Sequence, residues 1–141
     1  MTPDSKQKLK HLLVSHENYK QFPYTDTTGH LTIAIGRNLT DRGISTTEAF
    51  YLLDEDILYF YAKLMHFVPC FIQLSENRQI ALIDMAFNLG VQGFLNFKQM
   101  LSALEMHDYE RAADEMLQSK WAEQVGERAT CLANIMRTGE I

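Results

Sequence analysis

The sequence predicts an α+β fold that is mostly helical, with a small β-sheet lobe joined by a long helix to a larger helical lobe. Three observations carry this prediction. Most of the chain repeats apolar residues at helical spacing. One stretch, residues 22 to 36, switches to a period of two. A capping box at Ser45-Thr46-Thr47-Glu48, preceded by Ile44 as a hydrophobic staple, opens a helix long enough to connect two lobes. The 141 residues fit a single domain over 1–141. Within it the small lobe is expected at about 17–50. The helical lobe is expected to hold 1–16 and about 67–141.

Thr2-Pro3 is a helix start, with Thr as cap and Pro in the first turn. Leu9, Leu12, Leu13 and His16 then share one face, and the helix is expected to stop near Glu17 because Pro23 disfavours helix at Phe22. Asp26-Thr27-Thr28-Gly29 is a turn signal. After it Leu31, Ile33 and Ile35 alternate with Thr32, Ala34 and Gly36, which predicts a hairpin or small sheet. If Leu31 and Ile33 face a core, Thr32 and Ala34 point outward. The long helix is expected at about 46–66, with Leu52, Leu53, Ile57, Phe60, Tyr61 and Leu64 on its apolar side and Pro69 beyond its end. It is about 30 Å long at 1.5 Å per residue, enough to bridge the lobes. Ser75 starts a core-rich helix that Gly90 closes, and shorter helices are expected at 96–106, 108–118 and 127–137, with Asn96 and Asp108 as caps.

Composition narrows the function. The formal net charge is −5 and neither basic stretch, Lys6 to Lys10 or Lys120 to Arg137, is undiluted, so nucleic acid is not an expected partner. Cys70 and Cys131 form no CxxC pair and the five histidines form no HExxH, so neither a metal nor another cofactor is expected. The cysteines are expected to be isolated buried thiols of a reduced protein. The first residues are polar and no signal core follows, so synthesis in the cytoplasm of a bacterial host without a signal peptide is expected, with release or export by another factor. No stretch approaches the roughly 20 apolar residues of a spanning helix, and stable membrane insertion is not expected. A monomer is expected.

The segment from Glu17 to Arg37 carries the chemistry. It places one acid at a helix end, one acid at a turn and one hydroxyl on a strand. Glycoside hydrolysis needs two carboxylates, one holding a proton for the leaving oxygen and one staying ionised. Different surroundings divide those roles. Spacing alone does not single out this pair among 18 acids, and on that ground Glu17 and Asp26 read better as solvated surface residues, with Asp26 favouring its turn.

Resemblance separates the two readings. Glu17, eight residues, Asp26, five residues and Thr32 resemble the catalytic motif of the phage-type lysozymes, glycoside hydrolase family 24. Tyr24 to Gly29 resembles that family's hairpin turn, and Leu31 to Gly36 its strand. Ala81 to Gly90 resembles its central buried helix. Ser119-Lys120-Trp121, Gln124, Glu127-Arg128-Ala129 and Arg137-Thr138-Gly139 resemble its C-terminal signature. The resemblance spans about residues 9 to 139 and implies a lysozyme-like fold. It also implies hydrolysis of the β-1,4 bond between N-acetylmuramic acid and N-acetylglucosamine in bacterial peptidoglycan, the expected partner, with lysis of the cell wall.

By that resemblance Glu17 is the general acid, Asp26 stabilises charge and places water or acts as nucleophile, and Thr32 holds the water. Arg128 would support catalysis by reaching Glu17 across a cleft, and Asn38 and Phe87 would contact substrate. Phe87 reads equally as core packing, and Trp121 reads better as a buried anchor than as a sugar platform.

Two departures stand out. Where the family's strand ends in Gly-His, this chain has Gly36-Arg37, and an Arg37–Asp56 ion pair is expected in place of a His–acid pair, without a step near pH 6. The net charge of −5 should also slow encounter with an anionic wall polymer, a penalty that salt relieves. The alternatives to a hydrolase are a lytic transglycosylase, which Asp26 and Thr32 disfavour, and an inactive lysozyme-fold binding protein, which the intact triad disfavours.

Overall fold

The computed structural model describes residues 1–141. Its order is α1 (Pro3–Glu17), β1 (Lys20–Thr25), β2 (Leu31–Ala34), β3 (Arg37–Asn38), α2 (Thr46–Phe67), a 3-10 turn (Phe71–Gln73), α3 (Glu76–Leu95), α4 (Lys98–Glu105), α5 (Tyr109–Leu117), α6 (Lys120–Val125) and α7 (Glu127–Thr138). The expected α+β class, mostly helical with one small sheet, is borne out. The chain divides into two compact units, Met1–Tyr51 and Leu52–Ile141. The expected lobes grouped 1–16 with the later helices, whereas α1 clusters with the sheet.

In the first unit, the Thr2 hydroxyl accepts from the Ser5 amide and caps α1, with Pro3 in its first turn. The helix ends at Asn18, whose φ of +62° turns the backbone away while its N–H still donates to the Val14 carbonyl. The stop is therefore made by Asn18, five residues before Pro23. Pro23 instead sits inside β1, where the register slips between Lys20 and Tyr24, as suits a residue with no N–H to give the ladder. The sheet is antiparallel in the order β1-β2-β3, pairing Tyr24 with Thr32 and Thr32 with Asn38.

The predicted strand faces fail at Leu31 and Thr32, while Ala34 is exposed as expected and Ile33 is half-buried. Thr32 is 3% exposed, while Leu31 is 46% exposed. Burying a hydroxyl costs little once it is hydrogen-bonded, and Thr32 Oγ1 donates to the His30 carbonyl at 3.0 Å.

The second unit is held by a dry core. Leu64, Phe71, Leu82, Met85, Phe94, Met100, Leu104, Met116 and Met136 are all fully buried there. Ser75 caps α3 through the Arg78 amide, as expected. Gly90 breaks the helical conformation with φ +78°, and helix resumes to Leu95. Asp108 caps α5 by accepting from the Arg111 amide, but Asn96 does not cap α4, which starts after Phe97 without a side-chain cap. The short α6, capped by Ser119, was not foreseen. Trp121 is the anchor the sequence suggested: it is buried, its Nε1 donates to Asn88 Oδ1 at 2.8 Å, and Phe97 packs edge-on at 6.2 Å. Cys70 is buried as expected, but Cys131 is exposed on α7, and both are free thiols. No single helix is long and apolar enough to cross a membrane.

Candidate active site

Glu17 is the last residue of α1, and its carboxyl lies against the β2–β3 turn. A Cβ built on Gly36 would stand 2.7 Å from Glu17 Oε2 and 2.8 Å from Glu17 Cδ. Gly36 also has φ +67°, a conformation that costs an L side chain about 1–2 kcal/mol. The positive φ favours glycine there, and a side chain at this position would also have to push the Glu17 carboxyl aside. Ala34, two residues earlier, takes φ +60° without being glycine, so the same turn carries real backbone strain.

Asp26 is the hub of the β1–β2 turn. Its backbone N–H donates to the His30 carbonyl at 2.9 Å, and its own carbonyl accepts from the Gly29 amide at 3.1 Å. Its Oδ1 accepts from the His30 amide at 2.8 Å, the Thr28 amide at 2.9 Å and the Thr28 hydroxyl at 2.8 Å. The His30 amide is the main cause holding this carboxyl below the ordinary Asp range. Desolvation, the next largest effect, opposes it, and the Thr28 bonds and the nearby His30 ring add to the lowering. All three bonds converge on one oxygen and leave Oδ2 without a hydrogen-bond donor. Asp26 thus has the turn-forming role that its residue type suggested, and it is kept ionised by the same bonds.

Thr32 joins Asp26 through a shared neighbour. The His30 amide donates to Asp26, and the His30 carbonyl accepts from Thr32. Asn38 faces Thr32 across the β2–β3 ladder, and its amide is tied into the next turn. Its Nδ2 donates to Asp41 Oδ2 at 3.1 Å and its Oδ1 accepts from the Asp41 amide at 3.0 Å. Glu17, Asp26, Thr32 and Asn38 therefore all belong to the first unit, positioned by helix end, turn and strands.

The expected Arg37–Asp56 pair is not the one formed. Arg37 Nη2 meets Glu48 Oε2 at 2.6 Å, and its Nη1 donates to the Gly43 carbonyl at 3.2 Å. Glu48 is already oriented by the capping box, where it exchanges bonds with Ser45, so its carboxylate is the nearer and better organised acceptor. Arg37 first, and Ser45 after it, lower the Glu48 carboxyl to about 2.

Phe87 and Arg128 lie in the second unit and share a groove of about 370 Å³. Leu53 and Ile57 of α2 and Ile80 and Ile83 of α3 form its apolar wall. Phe87 is 42% exposed, which removes it from the core and makes it a lining residue, with Phe60 packed at 5.5 Å. The carboxylate against Arg128 is Asp84, which accepts from Nε at 2.8 Å, with a further bond from Nη2 to the Asp84 carbonyl at 3.3 Å. Sequence reasoning passed over Asp84 as a neighbour of Arg128. It also passed over His30, Thr28 and Asp41, although the spacing of Asp26, Thr28 and His30 on one turn was a readable signal.

The Phage lysozyme family model matches residues 14–138. The chain is 27% identical to a probable T4-type lysozyme 1 of Dictyostelium discoideum, covering 94% of this chain and 95% of the relative. A second such protein from that organism, probable T4-type lysozyme 2, is 25% identical over the same shares. The pre-baseplate central spike protein Gp5 of Enterobacteria phage T4 is 30% identical over 79% of this chain, which spans 20% of that larger protein. With the family model covering both Glu17 and Arg128 and nearly everything between the termini, this chain belongs to the phage lysozyme family.

Proposed function

We propose that the chain hydrolyses the β-1,4 bond between N-acetylmuramic acid and N-acetylglucosamine in peptidoglycan, with Glu17 as general acid. The observation that carries this reading is the joint anchoring of the three expected groups in one small unit. The Glu17 carboxyl packs on the Gly36 turn, and Asp26 and Thr32 are bound to the two backbone groups of His30.

Each group has a task in the proposal. Glu17 gives its proton to the glycosidic oxygen as the bond breaks. Asp26, held ionised, orients an incoming water or stabilises the positive charge developing on the sugar. Thr32 gives its hydroxyl hydrogen to the His30 carbonyl, so its oxygen remains an acceptor for a water hydrogen. Asn38 keeps one amide hydrogen beyond its bond to Asp41 and is a proposed sugar contact. Phe87 offers a half-exposed aromatic face for the same purpose in its own unit.

The test is clearing of outer-membrane-stripped cells by native protein and by Glu17→Gln. A general acid contributes about 10²–10⁴-fold, so the variant should lose at least that lower figure. A Glu17→Gln protein that clears walls like the native one refutes the assignment. Product mass separates hydrolysis from transglycosylation, since an anhydro sugar lacks the mass of one water.

A further inference from the structure

The His30 side chain lies between two carboxylates and a hydroxyl. Its Nδ1 is 2.6 Å from Thr28 Oγ1 and 3.6 Å from Asp26 Oδ2. Its Nε2 is 3.1 Å from Asp41 Oδ2, the oxygen that also accepts from Asn38. Asp26 and Asp41 are the titratable groups facing the ring, one from the β1–β2 turn and one from the turn after β3. The ring is one-third exposed, so solvent reaches it.

Counting hydrogens ties these contacts to the state of the ring. Thr28 has one hydroxyl hydrogen, and it goes to Asp26 Oδ1 at 2.8 Å. Thr28 Oγ1 must then accept from Nδ1. Asp41 Oδ2 can only accept, so Nε2 must donate as well. Keeping both ring contacts together with the Thr28–Asp26 bond requires two ring hydrogens, which only the imidazolium carries. A neutral ring breaks the chain at one end or the other. With hydrogen on Nδ1 alone, the Asp41 link is lost. With hydrogen on Nε2 alone, Nδ1 takes the Thr28 hydrogen, and the hydroxyl turns away from Asp26.

We propose that His30 is a proton-dependent positioning residue for Asp26: as an imidazolium it is anchored by Asp41 and holds the Thr28 hydroxyl on Asp26 Oδ1, leaving Oδ2 as the oxygen that serves the reaction. This rests on the reading of Asp26 as a catalytic carboxylate. It predicts that kcat depends on the charge of His30, although His30 is given no contact with the reacting atoms. The relay also links Asn38 to Asp26, through Asp41 and His30, so two turns of the sheet are set by one proton.

The test combines side-chain NMR titration with rate–pH profiles on soluble peptidoglycan fragments. The proteins are native, His30→Gln, Asp41→Asn and Asp26→Asn. In the native protein, proton loss from His30 should move the Asp26 carboxyl carbon signal over the same pH interval. Over that interval kcat should fall about tenfold, the size of a lost hydrogen bond to a charged group, with KM unchanged. His30→Gln should lack this step. Asp41→Asn should keep it but at lower pH, because a carboxylate no longer favours the charged ring. Matching profiles for native and His30→Gln, or an Asp26 signal blind to His30, overturn the proposal. Full activity of Asp26→Asn instead overturns the reading of Asp26 itself, and the NMR coupling distinguishes the two failures.

Discussion

The first unit, Met1–Tyr51, and the second, Leu52–Ile141, keep their shape by different means. Every buried apolar side chain of the core belongs to the second unit, where helices interlock around residues such as Phe71, Leu82 and Phe94. The first unit buries Thr32, and α1 buries nothing. Its geometry comes from positive-φ turns, from the three bonds into Asp26 Oδ1 and from the Arg37–Glu48 pair. Polar networks and strained turns fix direction at short range, which suits groups that must aim at a substrate. Apolar packing fixes stability and is tolerant of direction. The proposed chemistry sits where the structure is directional, and the stabilising mass sits elsewhere.

Substitutions, a pH titration and thiol labelling can break that division. The largest effect is expected from Gly36→Ala. Its methyl would collide with the Glu17 carboxyl and force an L residue into φ +67°. A displacement of about 1 Å at a reacting group can cost about 100-fold, so kcat should fall that far, while melting temperature falls only as a 1–2 kcal/mol strain requires. Steady-state rates beside a thermal melt check this; a large stability loss with unchanged kcat would erase the proposed split.

Leu82→Ala should do the reverse. Leu82 is fully buried on α3, and truncation of such a residue costs about 2–5 kcal/mol. Denaturant titration should show that loss, with kcat per folded molecule retained. Phe22→Ala, at a side chain 73% exposed on β1, should change stability by less than about 0.5 kcal/mol, which makes it the matched control in the other unit.

The Arg37–Glu48 pair gives a smaller effect with a defined pH window. The Glu48 carboxyl is lowered from 4.5 to about 2 in the folded protein. A lowered carboxyl contributes stability above its unfolded value, and that contribution disappears as pH falls from about 4.5 toward 2. Native protein should therefore exceed Glu48→Gln in melting temperature at pH 6, and the gap should close across that window. Because arginine stays charged, the pair itself adds no step near neutrality, and Arg37→His should introduce one. The same gap at pH 2 and pH 6 would show that charge pairing is not its source.

The smallest effect is chemical. Cys131 is exposed, whereas burial first, and Glu105 second, push the Cys70 thiol up to about 11. A thiol reagent at neutral pH should label Cys131 in the native state and reach Cys70 only on unfolding. Fast labelling of Cys70 would show that the helical core opens more readily than its packing implies.

Much of this molecule was legible in its residues. The capping box at Ser45, the caps at Thr2, Ser75 and Asp108, the break at Gly90 and the single β region all depend on local chemistry, and local chemistry is written in adjacent residues. The triad spacing was legible through resemblance, and the turn that holds Asp26 through its composition.

Partner choice was not legible. Arg37 takes Glu48 over Asp56 because the cap had already oriented one carboxylate, and Arg128 lies against Asp84 because α3 and α7 pack together. Thr32 is buried where alternation pointed it outward, because a bond to the His30 carbonyl satisfies it. By itself the sequence determined most of the elements, the starts that its clearest caps mark, and which acids and hydroxyl belong to the family motif. Only the tertiary structure decided which charges meet and which oxygen of Asp26 is left free, because those outcomes depend on distances between residues that the chain brings together after its local elements have formed.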